Sequence, residues 1–263
     1  MAESSNSLSR AEFKIEVADF LGYTRDSDNW STGQTTRVEA CVNNGYRTFL
    51  APPKLPEQVQ AGETAWEWSF MKPWTTLSVT ADAWYADAPE DFGNFAAPRL
   101  YFDPSTQLKR VDIVASAQII AKRQLGTTSG TPYIMGVRPK SSDASTGQRY
   151  EFVWWPTADD DYTLNYPYYV LQGAMTEDNP YPLGGAAHAM TVLAACLAWA
   201  DQTYKAGKYG KQEQYLDRLR FSIDHDRRFG WHTLGQLTDS SDDIGSEGQR
   251  PFYDIIVEGV TMT

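Results

Sequence analysis

Three histidines, His188, His225 and His232, and two cysteines, Cys41 and Cys196, are the only imidazole and thiol groups in this sequence of 263 residues. No two histidines stand four apart and the cysteines form no close pair, so a zinc site has no basis in spacing. Asp224-His225-Asp226 has the form of a fragment of a metal-phosphohydrolase motif. Such a centre needs further histidines upstream, and none precedes His188, so the triplet reads as a solvated helix face. Asp159-Asp160-Asp161 offers hard oxygen ligands, but a calcium loop places its ligands at alternating positions and closes on a glutamate, so this run reads as a turn. Glu63 and Glu67, beside Trp66, Trp68 and Trp74, could form an acid pair in an aromatic cleft of the kind glycosidases use, although spacing alone does not set the carboxyl separation. There is no phosphate-cradling glycine loop and no Gly-x-Ser-x-Gly elbow. No catalytic residue, cofactor or metal is therefore expected.

The elements that would position these groups follow from periodicity and caps. Ser9-Arg10-Ala11-Glu12 has the spacing of a capping box, and Phe13, Val17, Phe20 and Leu21 continue at helical spacing to Gly22, a natural stop. A second box, Thr36-Arg37-Val38-Glu39, predicts a helix whose apolar face runs through Cys41, Val42, Tyr46 and Phe49 as far as Pro52. Beyond it the period shifts towards two. Trp66, Trp68 and Phe70 alternate with polar residues, as do Leu77 and Val79, and short strands are predicted at 99–102, 109–114, 133–139, 149–155 and 162–171. The stretch 116–125 reads as one short helix inside this β region, 126–131 and 140–147 as exposed loops, and 156–161 as a hairpin connection. The adjacent pairs Trp154-Trp155 and Tyr168-Tyr169 would point to opposite faces of a strand, which calls for a second layer or another subunit.

Residues 183–200 carry no Asp, Glu, Lys or Arg. Glycines and polar residues dilute the run and it lacks basic flanks, so it reads as a central buried helix rather than a membrane span. A surface helix over 211–228 matches it, with Tyr215, Leu216, Leu219 and Ile223 on one face. The stretch 238–249 is polar and Gly/Ser/Asp-rich and reads as disordered, whereas Phe252, Tyr253, Ile255, Ile256, Val257 and Val260 make an apolar terminal segment suited to a partner edge or groove.

Composition sets the remaining bounds. Twenty-three Lys and Arg against 34 Asp and Glu leave a net charge of −11, which removes the basic face a phosphate-gripping DNA binder needs. Aromatic residues make up 13% of the chain, with 9 Trp and 15 Tyr, and weigh for a packed fold. The two cysteines fall in apolar helical patterns and read as reduced core residues. The start of the chain lacks the basic and apolar regions of a signal peptide, so secretion is not expected.

The order of elements, together with Phe20-Leu21-Gly22-Tyr23 through Asn29-Trp30, Tyr46-Arg47-Thr48-Phe49-Leu50, Arg149-Tyr150-Glu151-Phe152 through Tyr162-Thr163-Leu164, and Asn179-Pro180-Tyr181-Pro182-Leu183-Gly184-Gly185, resembles the head-to-tail adaptor proteins of tailed bacteriophages, also called tail tubular proteins in short-tailed phages. The match is one of layout and carries no chemical motif. The resemblance implies an α+β fold: a helical bundle from N- and C-terminal helices, an inserted antiparallel β domain and an extended C-terminal tail. Its boundaries would be 1–52 and 179–232 for the bundle, 53–178 for the β domain and 233–263 for the tail. It further implies a structural virion protein of the neck, made in the host cytoplasm, that closes into a homo-oligomeric ring, a dodecamer, between the portal protein and the distal tail or nozzle. DNA would pass through its channel without specific binding, and Phe252, Tyr253, Ile255, Ile256, Val257 and Val260 would reach the portal or a neighbouring subunit. Another neck protein, such as a tail terminator, is the nearest alternative; a glycan-binding or carbohydrate-active protein is the alternative of a different class.

Overall fold

A computed structural model of the chain describes residues 4, 6–104, 109–141, 149–171 and 173–229. Its elements are α1 (Arg10–Leu21), α2 (Thr32–Leu50), α3 (Pro56–Ala61), β1 (Trp74–Val79), β2 (Tyr85–Asp87), β3 (Phe92–Phe95), β4 (Arg99–Phe102) and β5 (Arg110–Ile113). The chain continues through α4 (Ser116–Leu125), β6 (Ile134–Ser141), β7 (Arg149–Trp155), β8 (Tyr162–Val170), α5 (Ala186–Tyr204) and α6 (Lys211–Phe229). No helix among the described residues is long and apolar enough to cross a membrane.

The expected fold class, a helical bundle with an inserted antiparallel β domain, is overturned. Among the described residues there are six α-helices and an eight-stranded sheet that curls into a nearly closed barrel with a core of its own. The sheet runs β1-β8-β4-β5-β6-β7-β2, with β3 also pairing β8. It is mixed, because β5 and β6 pair in parallel. A parallel pair needs a crossover rather than a hairpin, and α4 supplies it. Gly136 of β6 lets the crossover lie close: a Cβ there would stand 2.8 Å from the Val114 carbonyl oxygen and 3.1 Å from the Ser116 Cα.

Period-two side chains fill the barrel. Val79, Leu100, Phe102, Val111, Met135, Phe152, Trp154, Leu164 and Tyr166 are buried inside it. The outward residues of β6 and β7, Ile134, Val153 and Trp155, pack with Ile119 of α4. Trp154 and Trp155 thus serve two layers of one chain. Tyr168 likewise packs in the barrel, while Tyr169 packs against the helical core.

That second core joins α1, α2, α5 and α6. Ser9 caps α1 with its capping box in place, and Gly22 closes it in the left-handed region at φ 86°. α2 starts earlier than Thr36: Ser31 is the cap, boxed with Gln34, and Thr36 lies inside the helix with its hydroxyl donating to the Thr32 carbonyl at 2.9 Å. α2 and α5 meet at Gly45, where a Cβ would fall 2.4 Å from the Cys196 Cα. Both cysteines are free and buried.

Two local expectations also change. Trp66, Trp68 and Phe70 do not form a strand; Ser69–Met71 is a 3-10 turn, because Trp68 and Phe70 pack into the helical side, with the Phe49 and Trp68 rings 4.7 Å apart and those of Trp68 and Phe70 5.3 Å apart. Residues 156–161 are not a hairpin turn. β7 pairs with β6 and β2, and β8 with β1, β4 and β3, so this connection joins strands that are not neighbours.

Candidate functional site

The acid-pair reading at residues 63–74 meets a different arrangement. Trp68 is fully buried and donates its indole N–H to the Phe49 carbonyl at 2.7 Å. Trp66 donates to Asp226 at 2.9 Å, and Trp74 lies exposed at the start of β1. Glu67 pairs with Lys72 at 2.9 Å. Trp66 and Trp68 thus pack on the helical core, Trp74 stands apart from them on the surface, and Glu67 is held in an ion pair. In the aspartate run, Asp159 accepts from the Tyr162 hydroxyl at 2.6 Å and Asp161 from the Ala81 amide at 2.8 Å, so these carboxylates fasten the connection between β7 and β8. Among the described residues no group of three or more His, Cys, Asp or Glu is placed to hold a metal ion.

Asp224-His225-Asp226 is not wholly a solvated helix face. Asp226 is buried, and it accepts hydrogen bonds from the Trp66 indole, the Ser69 amide and the Ser69 hydroxyl. These bonds tie the last turns of α6 to the segment that leads into the barrel. Beside them His188, in the first turn of α5, is only 3% exposed and is surrounded by the rings of Phe49, Trp68, Phe70 and His225 at 5.2 to 5.9 Å. Its Nδ1 has no hydrogen-bond partner among the described residues. Burial lowers its pKa to about 4, against the opposing pull of the Asp226 carboxylate, so the imidazole is neutral at pH 7.

Ser, His and Asp side chains thus meet here, but not as a nucleophile relay. A relay needs the serine hydroxyl bonded to the imidazole, whereas the Ser69 hydroxyl donates to Asp226 directly. What the arrangement does is hold α5, α6 and the barrel entrance together. Nothing in the local sequence signals this cluster, because Ser69 lies 119 residues before His188 and 157 before Asp226.

An open groove lies between α5 and α6. Residues 186–200 of α5 carry no Asp, Glu, Lys or Arg, and so apolar a stretch is normally covered all round. α5 is covered on one side by α2, yet Met190 is 47% exposed, and with Leu193 and Leu197 it lines an open groove of about 120 Å³ against α6. Lys211, Gln214 and Arg218 form the α6 wall. One turn beyond Arg218 stands Phe221, 76% exposed. Asp201 positions the two walls: its buried carboxylate accepts from the Tyr209 and Lys211 amides at 3.1 to 3.3 Å and so sets the turn between α5 and α6.

The terminal residues Phe252, Tyr253, Ile255, Ile256, Val257 and Val260, expected to bind a partner, lie outside the described residues. No protein-family model matches this chain, and no curated protein matches it.

Proposed function

We propose that the protein is a structural, ring-forming adaptor of the neck of a tailed phage, seated between the portal and the distal tail. The observation that carries this reading is the open apolar side of α5, continued by Phe221 on α6, on a scaffold whose Ser69, His188 and Asp226 cluster is arranged for packing rather than for turnover. Large exposed apolar side chains at the centre of a face supply the anchors of a subunit contact. A contact between unlike surfaces of successive subunits closes into a ring when the rotation per subunit divides the circle, here in twelve steps. Phe252, Tyr253, Ile255, Ile256, Val257 and Val260 reach the portal or the next subunit in the assembled particle. The net charge of −11 suits a conduit that lets DNA slide instead of gripping its phosphates.

Electron microscopy of the purified full chain, mixed with the portal of the same phage, tests the proposal. Rings stacked on the portal are expected, and Phe221→Glu should abolish them while changing the free energy of unfolding by no more than an ordinary exposed substitution does, about 0.5 kcal/mol. A chain that ignores the portal and instead changes its tryptophan fluorescence with sugars would replace the adaptor with a glycan binder.

A further inference from the structure

We propose that Arg123 and Arg138, set about the indole of Trp84 on the outer face of the barrel, form a cradle for the phosphate group of a small ligand. This inference does not depend on the adaptor reading. It rests on a fixed pair of guanidiniums, one of which has no carboxylate to answer it.

The crossing of α4 over β6 and β7 brings the two arginines together. Arg123 lies in the last turn of α4, and Arg138 shares its face of β6 with Ile134, which packs against Ile119 of that helix. The guanidinium carbon of Arg123 stands 4.0 Å from the centre of the Trp84 ring, and that of Arg138 4.8 Å. Two like charges this close to one ring repel, and the indole face offsets only part of the cost. Nearby carboxylates are already taken. Glu151, opposite Arg138 on β7, is buried and accepts from the Arg138 Nε. Asp87, opposite Glu151 on β2, pairs with Lys140 at 2.7 Å. Among the described residues Arg123 has only the Thr157 hydroxyl, at 3.1 Å, and the indole. Burial and the charge of Arg138 lower its pKa, yet an arginine stays protonated, so what the cluster lacks is an anion.

The fixed orientation of the two side chains selects the anion. Thr157 is fastened on both sides: its amide donates to the Thr128 carbonyl and its own carbonyl accepts from the Gly130 amide, each at 2.9 Å. Its hydroxyl therefore holds the Arg123 Nη1 in place, as Glu151 holds the Arg138 Nε. This leaves Nε and Nη2 of Arg123 and both Nη of Arg138 without a bond among the described residues. A carboxylate fills one guanidinium fork with its two oxygens, whereas a tetrahedral phosphate has oxygens for two and more negative charge. Inorganic phosphate and a phosphate monoester share that chemistry. Tyr85, 49% exposed with its ring 5.3 Å from that of Trp84, adds an open aromatic face beside the cradle, on which the base of a nucleotide can stack.

The test is isothermal titration calorimetry of the full chain with inorganic phosphate, uridine monophosphate and acetate at equal ionic strength. Saturable binding of phosphate is expected, at least tenfold tighter than acetate. Arg123→Gln should weaken it at least tenfold, and Arg110→Gln on β5 should leave it unchanged. Tighter binding of uridine monophosphate, with the gain lost in Tyr85→Ala, assigns the cradle to a nucleotide; equal binding assigns it to free phosphate. No saturable binding of either phosphate compound, or binding that Arg123→Gln leaves intact, overturns the proposal. An independent reading needs no substitution. In the unaltered chain, phosphate should slow the modification of Arg123 by phenylglyoxal at least severalfold while that of Arg110 is unaffected, as followed by mass spectrometry; equal rates of Arg123 modification with and without phosphate also overturn it.

Discussion

Gly45→Ala perturbs the contact on which the helical layer turns. The added Cβ would fall 2.4 Å from the Cys196 Cα, 2.5 Å from the Cys196 nitrogen and 2.8 Å from its sulfur. Carbon atoms in contact stand about 3.5–4.0 Å apart, so α2 and α5 must separate by roughly 1 Å. The obstructing atoms are mainly backbone in the middle of a helix and cannot rotate away. Separation also loosens Val42, Tyr46, Phe49 and Val192, which share the same core. Overpacking of this kind costs about 1–3 kcal/mol, and a clash with backbone belongs at the upper end. Alanine recovers up to about 1 kcal/mol of helix propensity, leaving a loss of about 2 kcal/mol. In a chain of this size that lowers the unfolding midpoint by about 4–8 °C. Urea and thermal unfolding followed by circular dichroism measure it. Gly33→Ala is the internal control, in the first turn of the same helix with nothing within 4 Å, and should be neutral or stabilising by up to about 1 kcal/mol. If Gly45→Ala matches the parent or exceeds it, the close crossing of α2 and α5 is wrong.

Three further outcomes follow from the same structure. The His188 pKa is lowered in the folded chain to about 4 from an ordinary 6.5. The unfolded chain therefore binds the extra proton first as pH falls, and the stability held above pH 6.5 is lost progressively down to about pH 4, by about 3 kcal/mol. His188→Leu should flatten that part of the stability curve in urea titrations from pH 7.5 to 4.5; an unchanged slope would show that the imidazole is not the titrating group. Asp201→Ala should cost about 2–3 kcal/mol by leaving the Tyr209 and Lys211 amides without their acceptor, and Asp201→Asn less, as read from urea midpoints. Ser69→Ala removes one donor to Asp226 while the Trp66 indole and the Ser69 amide remain, so a loss of about 1 kcal/mol is expected and a loss above 3 kcal/mol would contradict the shared arrangement.

The helices were legible where caps and period agreed. Ser9 with Glu12, and Gly22 after Leu21, bound α1 as the sequence predicts, and 116–125 is the α4 that was expected. α2 shows how a cap can mislead: Thr36 and Glu39 have the spacing of a box, but Ser31 and Gln34 satisfy the free amides earlier and the helix simply continues through Thr36. Trp66, Trp68 and Phe70 alternate as a strand would, yet tertiary packing decided their conformation, because Trp68 and Phe70 stack with Phe49 in the helical core. Strand neighbours were the least legible feature. Nothing in 156–161 distinguishes a hairpin turn from a passage across the barrel, and α4 read as helix without revealing that it makes β5 and β6 parallel. Asp226 illustrates why the cluster beside His188 escaped notice: its partners Trp66 and Ser69 lie 160 and 157 residues away, and only the fold brings them together.

The adaptor reading stands or falls on assembly, and native mass spectrometry of the full chain, alone and with the portal of the same phage, measures assembly directly. The account predicts that the portal converts 29.6 kDa subunits into a closed ring of twelve, about 355 kDa of this chain per portal ring. A chain that stays at 29.6 kDa in the presence of the portal would contradict it.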